Sequence, residues 1–234
     1  MEADTIEGHE RKWWNELYES KDSKRKRREC HQAFRHLFPQ GHQESLRDLV
    51  LEFGQQARNG GFKSDGFFGY LNDVHPDAFD ILVEYGQDYT PLAFRKPPVW
   101  GEPEVGKCYR NAWELTLGLN MHLDKHPRVK NRARYVYVEG IAMGPVVYPM
   151  AHAWVARGYG GMEALDWTLY ATTKWVRYLG IPFMENEFIE LANLTNRGNV
   201  FEKRYFKARA KKRLVEMLEA RRASKATTQW GVTR

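Results

Sequence analysis

In SLRDLVLEFGQQARN, residues 45–59, the apolar positions Leu46, Leu49, Val50 and Phe53 recur at helical spacing, and the glycine pair at 60 and 61 ends the run. A second short helix is predicted over residues 77–85 (DAFDILVEY), with Gly86 in the place of a C-terminal stop. RKPPVWGEPEVG, residues 95–106, carries too many prolines for a regular helix or a central strand, and reads as a connector. Beyond it, KCYRNAWELTLGLN (107–120) places Ala112, Leu115 and Leu119 on the face that Cys108 begins. A helix there carries the thiol at its N-terminal end and turns it inward.

The pattern then changes from helical to extended. RYVYVEGIAM (134–143), VVYPMAHAWVAR (146–157) and MEALDWTLY (162–170) are rich in β-branched and aromatic residues, and Gly-Pro at 144–145 and Gly-Tyr-Gly-Gly at 158–161 supply turns between them. Three such runs predict an antiparallel meander, and helices followed by hairpinned strands predict an α+β fold. Near the end, RYFKARAKKRLVEMLEARR (204–222) is the clearest amphipathic helix, with Phe206, Ala210, Leu214 and Met217 or Leu218 in one stripe. Residues 1–37, with WWNELY and then a Lys/Arg run, read as helical with a few apolar anchors.

At 234 residues with 42% hydrophobic content the chain is long enough for one sizeable core. No apolar run approaches the roughly 18 residues of a membrane span, and MEADTIEGHERKWW is too charged for a signal-peptide core. A cytoplasmic location follows as the expectation, with Cys30 and Cys108 as free thiols. The net charge of +6 is concentrated in two places: residues 21–28 (KDSKRKRR) hold six basic residues against one acid, and residues 202–225 hold ten against three. Lys24, Arg25, Lys26, Arg27 and Arg28 in the first, and Lys207, Lys211, Lys212 and Arg213 in the second, are candidate contacts for nucleic acid or an acidic protein. The simpler reading of the tail is a helix that docks its apolar stripe on the core and keeps its charges in water.

Period-two geometry selects the candidate chemistry. In the second strand His152, Trp154 and Ala156 share a face, and in the third Ala164, Asp166 and Thr168 share one. A helix start packed against that sheet brings Cys108 to the imidazole, in the chain order Cys, His, Asp. A thiol of pKa about 8.5 needs a helix N-terminus and a neighbouring imidazolium to become a thiolate near neutral pH, and an acid beyond the imidazole fixes its tautomer. The Cys108 N–H is one candidate oxyanion donor. Tyr109, Trp113 and Trp154 are candidates for a substrate groove, although aromatics at such spacing are more often core. Cys30, His31, His36 and His42 lie close together, but lack paired zinc-ligand spacing and sit beside a basic run; no phosphate-cradling GxxxxGK[ST] is present. No metal and no cofactor are expected.

GKCYRNA, MAHAWV and ALDWT, in that order, resemble the papain-like superfamily in its transglutaminase-like and arylamine-acetyltransferase-like branches, in which a Cys opens a helix and a His and an Asp follow on strands. YVEGIA and YLGIPF are similar to segments of a group of uncharacterised bacterial and bacteriophage proteins of the same order. The resemblance covers about residues 100–185 and implies Cys108 as nucleophile, His152 as general base and Asp166 as orienting acid. The papain branch usually carries a Gln oxyanion donor before the Cys; Glu102 and Glu104 stand in that region here, and an ionised carboxylate cannot donate. The resemblance implies a papain-like or transglutaminase-like core, placed over residues 95–190; the residue pattern by itself sets beside it a helical region at 1–94 with its basic run and a basic amphipathic helix and tail at 191–234. The resemblance also implies a cysteine hydrolase or acyltransferase, acting on a peptide, amide or ester in the cytoplasm, the host's if the chain is viral. The alternative is a non-catalytic interaction protein, phage-encoded on the same likeness, that binds nucleic acid or a host protein through its basic arms.

Overall fold

The computed structural model describes residues 45–62, 71–92, 104, 107–125, 133–144, 147–169, 176–195 and 198–230. Within them lie five helices: α1 (Leu46–Arg58), α2 (Pro76–Tyr85), α3 (Cys108–Lys125), α4 (Glu185–Thr195) and α5 (Ala208–Trp230). The strands are β1 (Gln87–Pro91), β2 (Tyr135–Gly144), β3 (Val147–Arg157), β4 (Glu163–Ala164) and β5 (Arg177–Phe183). The basic run Lys24 to Arg28 and the group Cys30, His31, His36 and His42 lie outside the described residues. Among the described residues no helix is long and apolar enough to cross a membrane.

Local chemistry explains the helix boundaries. The Ser45 hydroxyl accepts the Arg47 N–H at the start of α1, and Pro76 opens α2, where a missing N–H costs nothing. Both helices turn the predicted apolar faces inward: Leu46, Leu49, Val50 and Phe53 of α1 and Phe79 and Leu82 of α2 are buried together. The predicted tail stripe is buried as well, from Phe206 just ahead of α5 through Ala210 and Leu214 to Met217 and Leu218, so the tail helix docks on the core.

The five strands form one mixed sheet in the order β3-β2-β5-β1-β4. All neighbours are antiparallel except β1 and β4, which run parallel. The two edges also meet, because Val155 of β3 and Leu165 beyond β4 exchange both backbone hydrogen bonds, at 3.0 and 2.8 Å. The sheet therefore curls round on itself and has an inside and an outside. Val136, Val138, Trp154, Ala156, Tyr178 and Tyr89 pack within the curl, while Tyr137, Ile141, Val155, Leu179, Ile181 and Phe183 face outward into the core shared with the helices.

Two expectations are corrected. The sheet is mixed, and the 162–170 run is not the third strand of a meander: it contributes two strand residues, and β5 is the neighbour of β2 on the side away from β3. The reason is local. The Asp166 carboxylate accepts the N–H groups of Thr168 and Leu169, at 3.0 and 2.9 Å, which turns the chain out of the extended path. β5 escapes the sequence pattern because RYLGIPF holds a Gly and a Pro. Gly180 is there for space, since a Cβ at that position would stand 2.5 Å from the Trp154 ring. Opposite it in β2, Gly140 would bring a Cβ to 2.0 Å from the Leu179 carbonyl oxygen. This glycine pair lets the strands approach where the sheet curls beside His152, the β3 partner of Gly140.

Candidate active site

His152 points into the curl from β3, and Asp166 meets it from the turn beyond β4, fourteen residues later. The imidazole Nε2 donates to Asp166 Oδ2 at 2.7 Å, with both side chains sealed from solvent. Every acceptor site of this carboxylate is used. Oδ1 takes the two backbone N–H groups of the turn, and Oδ2 takes the Tyr178 hydroxyl, at 2.8 Å, beside the imidazole. A buried carboxylate so surrounded is solvated by the protein in place of water.

Cys108 is the first residue of α3, where backbone N–H groups have no intrahelical partner. Asn111, in the same first turn, anchors this helix start. Its Nδ2 donates to the Thr168 hydroxyl at 3.0 Å and to the Glu104 carbonyl at 2.8 Å, and its Oδ1 accepts the Glu104 N–H at 3.2 Å. The first turn of α3 is thus tied to the same turn that presents Asp166. Cys108, half-buried, is among the groups whose proximity raises the imidazole. With Nε2 occupied by Asp166, Nδ1 is the free ring nitrogen; it is buried and has no hydrogen-bond partner. Burial works against protonating His152, but Asp166 and Cys108 outweigh it and raise the imidazole to about 10. Such an arrangement can hold a thiolate beside an imidazolium.

Of the aromatic candidates, Tyr109 is partly buried against the core. Trp113 packs on Phe188 with ring centroids 4.5 Å apart. Trp154 is wholly enclosed inside the curl, between Tyr89 and Tyr178 and roughly parallel to His152, so it shapes the floor under the imidazole rather than an open groove wall. The basic candidates of the tail are largely engaged within the chain. Lys211 pairs with Asp77 at 2.7 Å and Arg213 with Glu190 at 2.6 Å, while Lys212 is 80% exposed beside Glu216 and Lys207 is exposed. Among the described residues no group of three or more His, Cys, Asp and Glu could hold a metal ion.

Sequence reasoning missed Asn111, Tyr178 and Glu139. Asn111 follows Cys108 by three residues, a spacing that places it on the inner side of the same turn, and so was open to discovery. Tyr178 lies in the strand that Gly and Pro disguised. Glu139 is fully buried on the outer face of β2, where its carboxylate accepts the N–H groups of Val200 and Phe201, at 2.9 and 2.8 Å, and the Tyr137 hydroxyl at 3.0 Å. Burial pushes Glu139 up to about 7 against these hydrogen bonds. An alternating strand pattern had no signal for a carboxylate turned toward the core.

No family model, no curated protein and no solved structure matches this chain.

Proposed function

We propose that this chain is a thiol-dependent acyl-transfer enzyme with Cys108 as nucleophile, His152 as general acid and base, and Asp166 as the orienting acid. One observation carries the reading: a sealed His152–Asp166 hydrogen bond of 2.7 Å whose imidazole has its remaining nitrogen free and a half-open thiol as its neighbour. A core histidine that served packing alone would gain nothing from an unpaired buried Nδ1, which is costly to leave without a partner.

In the reaction the Cys108 thiolate attacks the carbonyl carbon of an amide or ester, and the π electrons move onto oxygen. The Cys108 N–H, at the helix start, is one donor available to that oxyanion. Collapse expels the amine or alcohol, which takes a proton from His152 Nδ1 and leaves a thioester. Water or a second amine then gives its proton to Nδ1 as it attacks, and the thiolate departs. Hydrolysis and amine transfer differ only in that acceptor. Asp166 keeps the proton on Nε2 throughout and supports the positive ring. A papain-like fold is part of this proposal, supported by the chain order Cys, His, Asp and by a helix that opens on the thiol.

Alkylation of the full chain with iodoacetamide near neutral pH, read by peptide mass spectrometry, tests the reading. Cys108 is expected to react much faster than Cys30, and to lose that advantage in His152→Ala. Equal, slow labelling of both thiols would sink it.

A further inference from the structure

Asp166 Oδ2 is shared by two donors from different strands. His152 Nε2 reaches it from β3 at 2.7 Å and the Tyr178 hydroxyl from β5 at 2.8 Å. Tyr178 is a poor choice for mere packing at this place. Its ring is enclosed, 4.9 Å from Trp154 by centroid, and a phenylalanine there would bury the same carbons without a hydroxyl to satisfy. Its backbone is held on both sides, paired with Tyr89 of β1 and Ala142 of β2, so the position of the hydroxyl is set by the middle of the sheet and not by a loop.

We infer that Tyr178 is a positioning residue for the Cys108–His152 pair, its hydroxyl drawing off part of the Asp166 charge and confining His152 Nε2 to the remaining lone pair of Oδ2. The inference rests on the acyl-transfer reading and extends it. Two consequences follow. With Oδ2 half occupied, the imidazole has one direction in which to donate, and Nδ1 is aimed by default. With the charge of the carboxylate shared, the imidazolium is held less tightly, so that Nδ1 can release its proton to a leaving group. The phenol is suited to this because burial, and then the Asp166 charge, push its own ionisation far upward and keep it a donor. Among the described residues, the titratable groups that face the imidazole are Asp166 from the turn after β4, Cys108 from α3 and Tyr178 from β5. β2 offers it only Gly140, and Tyr89 of β1 meets Trp154.

The test follows the His152 titration by nitrogen-15 NMR in the full chain, with the rate of Cys108 alkylation by iodoacetamide against pH as a second readout. Tyr178→Phe is expected to raise the His152 midpoint by about one pH unit, the effect of losing a good part of one charge-assisted hydrogen bond. Replacement of Tyr178 by 3-fluorotyrosine, a stronger donor that keeps the packing nearly unchanged, is expected to move the midpoint down, and stands in if the Phe variant does not fold. Midpoints within about 0.2 units of wild type, set against the one-unit shift of a lost donor, would overturn the inference while a fast-alkylating Cys108 leaves the acyl-transfer reading standing. A wild-type Cys108 that labels no faster than Cys30 overturns that reading, and this inference with it.

Discussion

His152 Nε2 stands 2.7 Å from Asp166 Oδ2, a hydrogen bond between a strand and the turn that closes the opposite edge of the curled sheet. The pair therefore joins the two edges as well as orienting an imidazole, and its removal has structural and chemical effects that can be told apart.

Asp166→Ala leaves His152 without its partner, and the Tyr178 hydroxyl and the N–H groups of Thr168 and Leu169 without acceptors. A loss of about 3–5 kcal/mol in urea denaturation is expected, as for one partner removed from a buried pair. Cys108→Ala, at a half-buried position, is expected to cost no more than about 1 kcal/mol while abolishing the proposed acyl transfer. Comparable stability losses in the two variants would contradict this division.

Two buried groups give stability a pH dependence, and the sign is the same for both. Glu139 is raised in the folded chain from 4.5 to about 7, so its contribution is fully present below 4.5 and is lost as pH rises through about 7. His152 is raised from 6.5 to about 10, so its contribution is whole below 6.5 and is lost as pH rises through about 10. For Glu139 the span corresponds to about 3 kcal/mol at most. In Glu139→Gln, which cannot ionise, the fall in stability between pH 4.5 and 7 is expected to flatten, as measured by thermal unfolding across that window. A slope equal to that of wild type would refute the assignment.

Gly140→Ala and Gly180→Ala test the close approach beside the site. At Gly140 the new methyl meets a backbone carbonyl at 2.0 Å, and at Gly180 it meets the Trp154 ring at 2.5 Å. Both variants are expected to lose about 1–3 kcal/mol or more, with Gly140→Ala the worse because a backbone atom cannot step aside. Gly160→Ala, with open space around it, is the control expected to stay within about 0.5 kcal/mol.

Arg221 anchors α5. Its guanidinium takes Glu187 in a two-pronged bond at 2.5 and 3.1 Å, donates to the Pro182 carbonyl at 2.7 Å, and lies 4.3 Å over the Tyr159 ring. Arg221→Ala is expected to cost about 2–4 kcal/mol, and Arg221→Lys to recover little, because an ammonium lacks the planar fork. Lys212→Ala, at an exposed residue, is expected to change stability by less than about 0.5 kcal/mol.

Much of the fold was legible wherever one face of an element is apolar and the other is wet. The stripes of α1, α2 and α5 and the β2–β3 hairpin follow from periodicity, because burial of that face is what makes each element stable. The elements that escaped are those whose residues answer to a neighbour. Gly180 answers to the Trp154 ring, Pro182 accepts from Arg221 through its carbonyl, and Asp166 leaves the strand because its carboxylate captures two N–H groups of its own turn.

By itself the sequence determined that Cys108 opens a helix, that His152 and Trp154 share one face of a strand, and that an acid follows after a short turn. Those are local matters of spacing and of turn chemistry. Only the tertiary structure decided that this face is the inside of a curled sheet, that Asp166 reaches His152 from a turn, and that Tyr178 and Asn111 complete the setting. Such contacts join residues 12 to 57 positions apart, and no local period records them, because they exist only once the sheet has curled and brought its edges together.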